Sequence, residues 1–261
     1  MAEQSIRFDD GDAYERGMSP WSRLAGQIFL DWLAPSRGLR WLDVGCGTGA
    51  FTELLVQQCA PIEALGMDPH ETQLAVARGR SGARGAAFQS GDAEALPFDA
   101  GRFDAAVMAL VIFFLPDPAK GVAEMVRVVR PGGVVAAYGW DLLGGGFPFD
   151  PIWAETRAAG VTPLLPPSPS AAGKESLREL WTGAGLQKVE TREIVVERKF
   201  ADFEAYWSTS TITGSVRPPL DAMTASERAQ LKARVRARLP ADSTGSVTHR
   251  ARANAVKGFV P

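Results

Sequence analysis

The chain of 261 residues contains only two cysteines and two histidines. Cys46 and Cys59 lie thirteen positions apart, with no Cys or His pair at ligand spacing around them. No disulfide framework and no metal site are therefore written into the sequence, and a reducing cytoplasm is the expected setting. An excess of one charge sign is also missing. The formal net charge of -2 argues against a chain that tracks nucleic-acid phosphates, which needs a strongly basic face. Met1-Ala2-Glu3-Gln4-Ser5 offers no basic stretch followed by an apolar one, so no secretory signal is expected. The longest apolar run, residues 105–115, is too short to cross a bilayer and reads as a buried strand; no membrane partner is expected.

What is present is a large apolar fraction, 46%, enough for one sizeable core without staples. The chain reads as a single domain: an N-terminal helical cap over residues 1–37, a core over 38–141, and remaining strands with cap segments over 142–261. Residues 12–34 carry apolar side chains at mixed three- and four-residue spacing, predicting one or two helices divided near Pro20. Strands are predicted at 39–44, 62–67, 86–89, 103–110 and 134–138, with helices between them. The helix after Asp117-Pro118 has the clearest signals: a capping carboxylate, proline in the first turn, and Val122, Met125, Val126 and Val129 on one face, with Pro131-Gly132-Gly133 as its stop. Such alternation demands a doubly wound α/β fold with a mainly parallel sheet. Beyond Trp140, short helices are expected near 152–159, 175–184 and 202–207, a loop over 208–223, and a charged helix over 225–239. Two further strands at 189–200 and 246–259 would form an antiparallel pair at the sheet edge, making seven strands.

The first strand runs into Leu42-Asp43-Val44-Gly45-Cys46-Gly47-Thr48-Gly49-Ala50. A strand, a glycine turn and a helix in this order form the floor of a nucleotide site. The spacing alone fits a dinucleotide as well as another adenosine ligand, so an NAD(P)-dependent oxidoreductase is one alternative. Against a pyrophosphate stands Asp43 just before the glycines, with no Lys or Arg between Arg40 and Arg78; such a site suits an ammonium or sulfonium. Asp68, ending the second strand, can accept from both ribose hydroxyls, and Asp92 after the third strand can accept from an adenine amino group. The Tyr-x-x-x-Lys pair of short-chain reductases is absent: Tyr14, Tyr138 and Tyr206 are followed at that spacing by Met18, Leu142 and Ser210.

Taken together, the glycine motif, Asp68-Pro69, Gly91-Asp92-Ala93 with Leu96-Pro97-Phe98, and Arg127-Val128-Val129-Arg130-Pro131-Gly132-Gly133 resemble the ordered motif series of class I S-adenosylmethionine-dependent methyltransferases. Within that class the resemblance is to the type 11 group of small-molecule enzymes related to quinone biosynthesis. It implies a Rossmann-like seven-stranded sheet with an antiparallel last strand, and S-adenosyl-L-methionine as cofactor. It also implies roles: Gly45 and Gly47 at the methionine end, Asp43 toward the amino group directly or through water, Asp68 at the ribose, and Asp92 with Ala93 at the adenine. Cys46, Pro69, Ala109 and Leu110 complete the expected cofactor-binding set.

No catalytic residue is assigned. His70 reads as a helix-terminal neighbour of the ligand, and His249 as strand surface or pocket wall. Past the fourth strand the segment Ala109-Leu110-Val111-Ile112-Phe113-Phe114 suggests an apolar wall. Tyr14, Met18, Trp21, Phe114, Trp140, Phe147 and Trp207 are the candidates for the acceptor pocket, and Phe149 and Trp153 join their aromatics in a cap over the acceptor. Cys46 reads as a loop filler, and the arginines of 225–239 as a solvated face. The expected activity is methyl transfer to a small apolar or aromatic molecule; a non-catalytic cofactor-binding protein is the other alternative.

Overall fold

A computed structural model describes residues 15–261; the candidate Tyr14 lies outside the described residues. Within it, seven strands form one sheet in the order β3-β2-β1-β4-β5-β7-β6. They are β1 (Arg40–Val44), β2 (Glu63–Asp68), β3 (Ala86–Ser90), β4 (Phe103–Ala109), β5 (Val129–Trp140), β6 (Gln187–Phe200) and β7 (Val247–Phe259). The pairs β1/β2, β2/β3, β1/β4 and β4/β5 are parallel, whereas β7 runs antiparallel between β5 and β6. The expected mainly parallel sheet with an antiparallel last strand is what forms. Central β4 is buried along nearly its whole length, which is why its sequence is an unbroken apolar run instead of an alternating one.

The helices are α1 (Ser19–Leu33), α2 (Ala50–Cys59), α3 (Glu71–Gly79), α4 (Pro118–Val128), α5 (Asp150–Ala158), α6 (Lys174–Gly183), α7 (Phe203–Ser210), α8 (Arg217–Asp221) and α9 (Ala225–Arg238). Pro20 sits in the first turn of α1, where its missing N–H has no intrahelical partner to lose. Asp117 caps α4 as predicted, its carboxylate accepting from the Lys120 N–H at 3.1 Å.

Two expectations are corrected. Pro131-Gly132-Gly133 is not a spacer between helix and strand, because β5 starts at Val129 and the three residues form an irregularity within it, where the register against β4 shifts between Phe103 and Ala105. The predicted 208–223 loop also contains α8, and α7 extends to Ser210. The Asp202 carboxylate, accepting from the Ala205 N–H at 2.7 Å, starts α7.

Strand order reverses at β1, whose neighbours β2 and β4 lead to opposite sheet edges. In open α/β sheets the crevice beyond the carboxyl ends of the strands at such a reversal is where ligands bind. The segments after β5 and β6 fold over this same end.

Candidate active site

The glycine turn after β1 is held by the neighbouring strand: the Gly45 and Cys46 N–H groups both donate to the Met67 carbonyl, at 2.7 and 2.9 Å. Gly45 has φ +76°, and a Cβ there would stand 2.5 Å from the Val111 side chain. Only glycine fits both the dihedral and the space. The Gly47 N–H donates to one oxygen of Asp68 at 3.0 Å, and the His70 N–H donates to the other at 2.9 Å. Asp68 is thereby fixed at the tip of β2, and the oxygen that accepts from Gly47 keeps a lone pair for a further donor. Asp92 is exposed on the loop after β3, where it accepts from the Glu94 N–H at 2.9 Å.

Asp43 stands behind the turn. It is 1% exposed; one oxygen accepts from Thr52 Oγ1 at 2.6 Å, and the other has no partner among the described residues. Burial pushes its carboxyl up to about 7, against the Thr52 hydrogen bond and with help from the Asp68 charge. The same burial raises the Cys46 thiol far above its usual range, which agrees with a loop filler and not a reactive thiol.

The cavity at this end of the sheet is about 1290 Å³. Gly45, Cys46, Gly47, Asp68, Pro69, Asp92, Ala93, Ala109 and Leu110 all line it, as do Met18, Phe114, Trp140 and Phe147 of the pocket candidates. Leu110 adopts φ +65°, a strained left-handed conformation that clusters at functional sites; its N–H donates to the Tyr138 carbonyl at 2.8 Å.

Other candidates lie elsewhere. Asp43 does not reach the cavity surface. Trp21 is wholly buried under α1, its ring against Phe200 and His249. Trp207 packs on Phe203 and carries the Lys232 ammonium over its ring. Both are aromatics in segments that border the cavity, but helical phase turns them away from it. His249 is neither strand surface nor pocket wall: it is largely buried between Trp21 and Tyr206, and burial pushes it down to about 4. His70 sits at the cavity edge, its Nδ1 3.1 Å from Asp68.

Trp153, which stacks on Phe147 at 4.2 Å, and Phe113 of the expected apolar wall, which meets Phe114 at 4.7 Å, both line the cavity; Phe149 packs edge-on against Phe147 and does not. Sequence reasoning missed the brace under the glycine turn. Arg80 donates to the Thr48 carbonyl at 2.9 Å, to Glu53 at 3.0 Å and to Glu15 at 2.5 Å, while Thr48 Oγ1 donates to Glu15 at 2.8 Å. These partners are up to 65 residues apart, so no local pattern announces them.

Arg234, Arg236 and Arg238 of α9 are exposed, as a solvated face requires, and on that face they form ion pairs. Arg234 and Arg238 both bind Glu155, and Lys232 and Arg236 both bind Glu204.

A doubly wound sheet with a glycine turn and carboxylates at the tips of successive strands is the arrangement that holds an adenosine ligand beyond the carboxyl ends of the strands. Three features suit an adenosyl cofactor that carries an ammonium and a sulfonium, as S-adenosylmethionine does: the unpartnered Asp43 oxygen, the tight cradle at Gly45, and the remaining acceptor capacity of Asp68. Residues 42–137 match the family model of a methyltransferase domain, and this stretch of the chain is such a domain. A rice (Oryza sativa subsp. japonica) protein named 2-methyl-6-phytyl-1,4-hydroquinone methyltransferase 2, chloroplastic, is 34% identical over 160 residues, covering 61% of this chain and 42% of that one. An uncharacterised methyltransferase of Mycobacterium tuberculosis is 36% identical over 132 residues, covering 50% of this chain and 51% of that one. The chain thus spans about half the length of these curated relatives. Among solved structures, a Haemonchus contortus phosphoethanolamine N-methyltransferase 2 complex with S-adenosylhomocysteine shares the fold, with TM-score 0.58 and 18% identity, covering 97% of this chain and 58% of that one.

Proposed function

We propose that the chain transfers the methyl group of S-adenosyl-L-methionine to a small apolar or aromatic molecule. The observation that carries this reading is one continuous cavity bounded both by the glycine turn with Asp68 and by the aromatic wall of Phe113, Phe114, Trp140, Phe147 and Trp153. At about 1290 Å³ it exceeds the roughly 300–1,000 Å³ of a typical small-molecule site, which leaves room for an acceptor beside a cofactor. An apolar acceptor also agrees with the rice relative, whose name specifies an aromatic hydroquinone with a phytyl tail.

In this reading Asp68 takes the ribose hydroxyls, and Asp92 with Ala93 faces the adenine. Gly45, Cys46 and Gly47 admit the methionine end to the backbone, while Pro69, Ala109 and Leu110 close around the adenosyl group. The unpartnered Asp43 oxygen answers the amino group through a bridging water. The bound cofactor supplies an already activated methyl group on a sulfonium. The remaining task of these residues is to align the acceptor and keep water out. Met18 and the aromatic wall do this from the acceptor side. Among the described residues, no helix is long and apolar enough to cross a membrane.

The test offers methyl-labelled cofactor together with a metabolite extract to the full chain and identifies the labelled product. A labelled apolar or aromatic product is expected. Repeated absence of product, with S-adenosylhomocysteine still bound in calorimetry, would favour the non-catalytic reading, and binding of NAD(H) alone would overturn both.

A further inference from the structure

The non-glycine residues with positive φ among the described residues are Ala34, Ala60, Leu110 and Lys188. Ala34 and Ala60 end α1 and α2 as left-handed caps, an ordinary way for a helix to stop. Lys188 lies where the register of β6 against β7 slips, between Gln187 and Glu190. Leu110, at φ +65°, ends no helix; it follows the last residue of β4 and lines the cavity.

Its left-handed turn stops the ladder between β4 and β5. The Leu110 N–H makes a last rung to the Tyr138 carbonyl, and no backbone N–H among the described residues donates to the Leu110 carbonyl. The carbonyls beyond it are taken. Val111 accepts from the Phe114 N–H at 2.7 Å, Phe113 from the Ser168 N–H at 3.0 Å, and Leu115 from Ser168 Oγ at 2.8 Å. A buried backbone carbonyl is ordinarily paired, and Leu110 is 8% exposed. A residue strained at a cavity wall points to a role in function.

The position of Leu110 says which role. Its neighbour Val111 stands against Gly45 of the glycine turn, and Phe113 and Phe114 begin the aromatic wall. Leu110 therefore lies at the seam between the cofactor half and the acceptor half of the cavity, where a methyl group has to cross.

We propose that the Leu110 carbonyl accepts a hydrogen bond from the attacking atom of the methyl acceptor, and that this atom is the nitrogen of an aromatic or aralkyl amine. The inference rests on the methyltransferase reading. A carbonyl orients a donor but takes no proton, and Phe113, Phe114, Trp140, Phe147 and Trp153 offer no base. A hydroxyl or thiol would have to ionise before attack, and the resulting anion would have no hydrogen to donate to the carbonyl. A neutral amine keeps an N–H while its lone pair attacks, and an apolar site favours that neutral form. The lone pair forms the N–C bond, the C–S bonding pair stays with sulfur, and the positive charge passes from sulfur to nitrogen. The proton leaves nitrogen for water afterwards. The carbonyl oxygen and the ring faces of the wall stabilise the cation that forms.

Leucine is followed by valine only at Leu55–Val56 and Leu110–Val111. Isotopic labelling of leucine carbonyl carbons and valine nitrogens therefore isolates these two carbonyls by nuclear magnetic resonance, with Leu55 inside α2 as the reference. The full chain, saturated with S-adenosylhomocysteine, is titrated with α-naphthylamine and with α-methylnaphthalene, which has the same shape and no N–H. A saturable downfield shift of the Leu110 carbonyl carbon is expected with the amine and not with the hydrocarbon, while Leu55 stays in place. In turnover, methyl-labelled cofactor and an extract from cells grown on labelled nitrogen should give a product whose methyl carbon couples directly to nitrogen. A methyl group on oxygen, sulfur or carbon would overturn the inference, as would no shift or equal shifts with the two ligands. A shift already complete with S-adenosylhomocysteine alone would overturn it too, by assigning the carbonyl to the cofactor's own ammonium. In each of these cases the cofactor product still binds and the methyltransferase reading stands; a chain that does not bind it fails that reading itself.

Discussion

Asp43 near the end of β1 and Asp68 at the end of β2 stand in different surroundings, and each makes a distinct prediction. Asp68 is held by the N–H groups of Gly47 and His70 and presents its remaining lone pair to the cavity. Asp68→Ala should weaken S-adenosylhomocysteine by about 1.5–3 kcal/mol, the scale of a hydrogen bond to a charged group; unchanged affinity in calorimetry would place the ribose elsewhere. Asp43 is buried with a carboxyl raised to about 7, whereas in the unfolded chain an aspartate titrates near ~3.9. Its contribution to stability is therefore complete below about 4 and lost as pH rises through about 7. Asp43→Asn, which cannot ionise, should gain stability relative to wild type between pH 5 and pH 8, read by denaturant unfolding of the ligand-free protein. A cationic amino group near the unpartnered oxygen reverses the preference, so binding at pH 6 should release close to one proton and binding at pH 8 almost none. Calorimetry in buffers of different ionisation enthalpy reads this directly, and equal release at both pH values would remove Asp43 from the ligand's environment.

Elements divide sharply into those visible in the sequence and those that were not. Strand β4 and helix α4 were legible because local rules suffice: an apolar run of the right length, a capping aspartate, a proline at the first turn. The glycine turn was legible as a motif, but the reason its first glycine cannot change lies in Val111, 66 residues away in sequence and directly against it in space. Gly45→Ala should cost about 2–5 kcal/mol, combining left-handed strain of about 1–2 kcal/mol with overpacking of about 1–3 kcal/mol. Adding Val111→Ala should recover the packing part and leave the backbone part. Urea unfolding of the two variants measures the split; a double variant no more stable than Gly45→Ala would show that contact with Val111 contributes nothing. The Arg80 brace and the bulged start of β5 escaped for the same reason, since their partners are fixed by topology and not by spacing.

At the scale of the whole molecule, the cofactor half of the cavity was readable and the acceptor half was only partly so. The first is built from motifs on successive strand tips. The second is assembled by segments after β5 and β6, where a residue's facing depends on helical phase and on loops of irregular length; Trp153 there lines the cavity, whereas Trp207, like Trp21 on α1, does not. What holds this cap in place is also non-local. Glu155 on α5 is 7% exposed and receives both Arg234 and Arg238 of α9, and Arg238 first, then Arg234, keeps its carboxyl below the usual range. The arginines are themselves about half exposed, at 44% and 53%, so solvent screening limits the pair to about 1–2 kcal/mol, well short of a fully buried bridge. That contribution is present above the ordinary glutamate value of ~4.3 and fades as pH falls through the lowered one. Because α5 lies just beyond the Phe147 wall and the glycine turn is braced separately by Arg80, loosening the cap should not disturb the adenosyl end. Glu155→Ala is therefore expected to speed amide hydrogen exchange across α9 by about 5- to 30-fold, the equivalent of that loss, while S-adenosylhomocysteine affinity stays within twofold of wild type. Slow exchange in the variant would show that the arginines of α9 do not hold the cap, and a parallel loss of cofactor affinity would show that the two halves of the cavity form one cooperative unit.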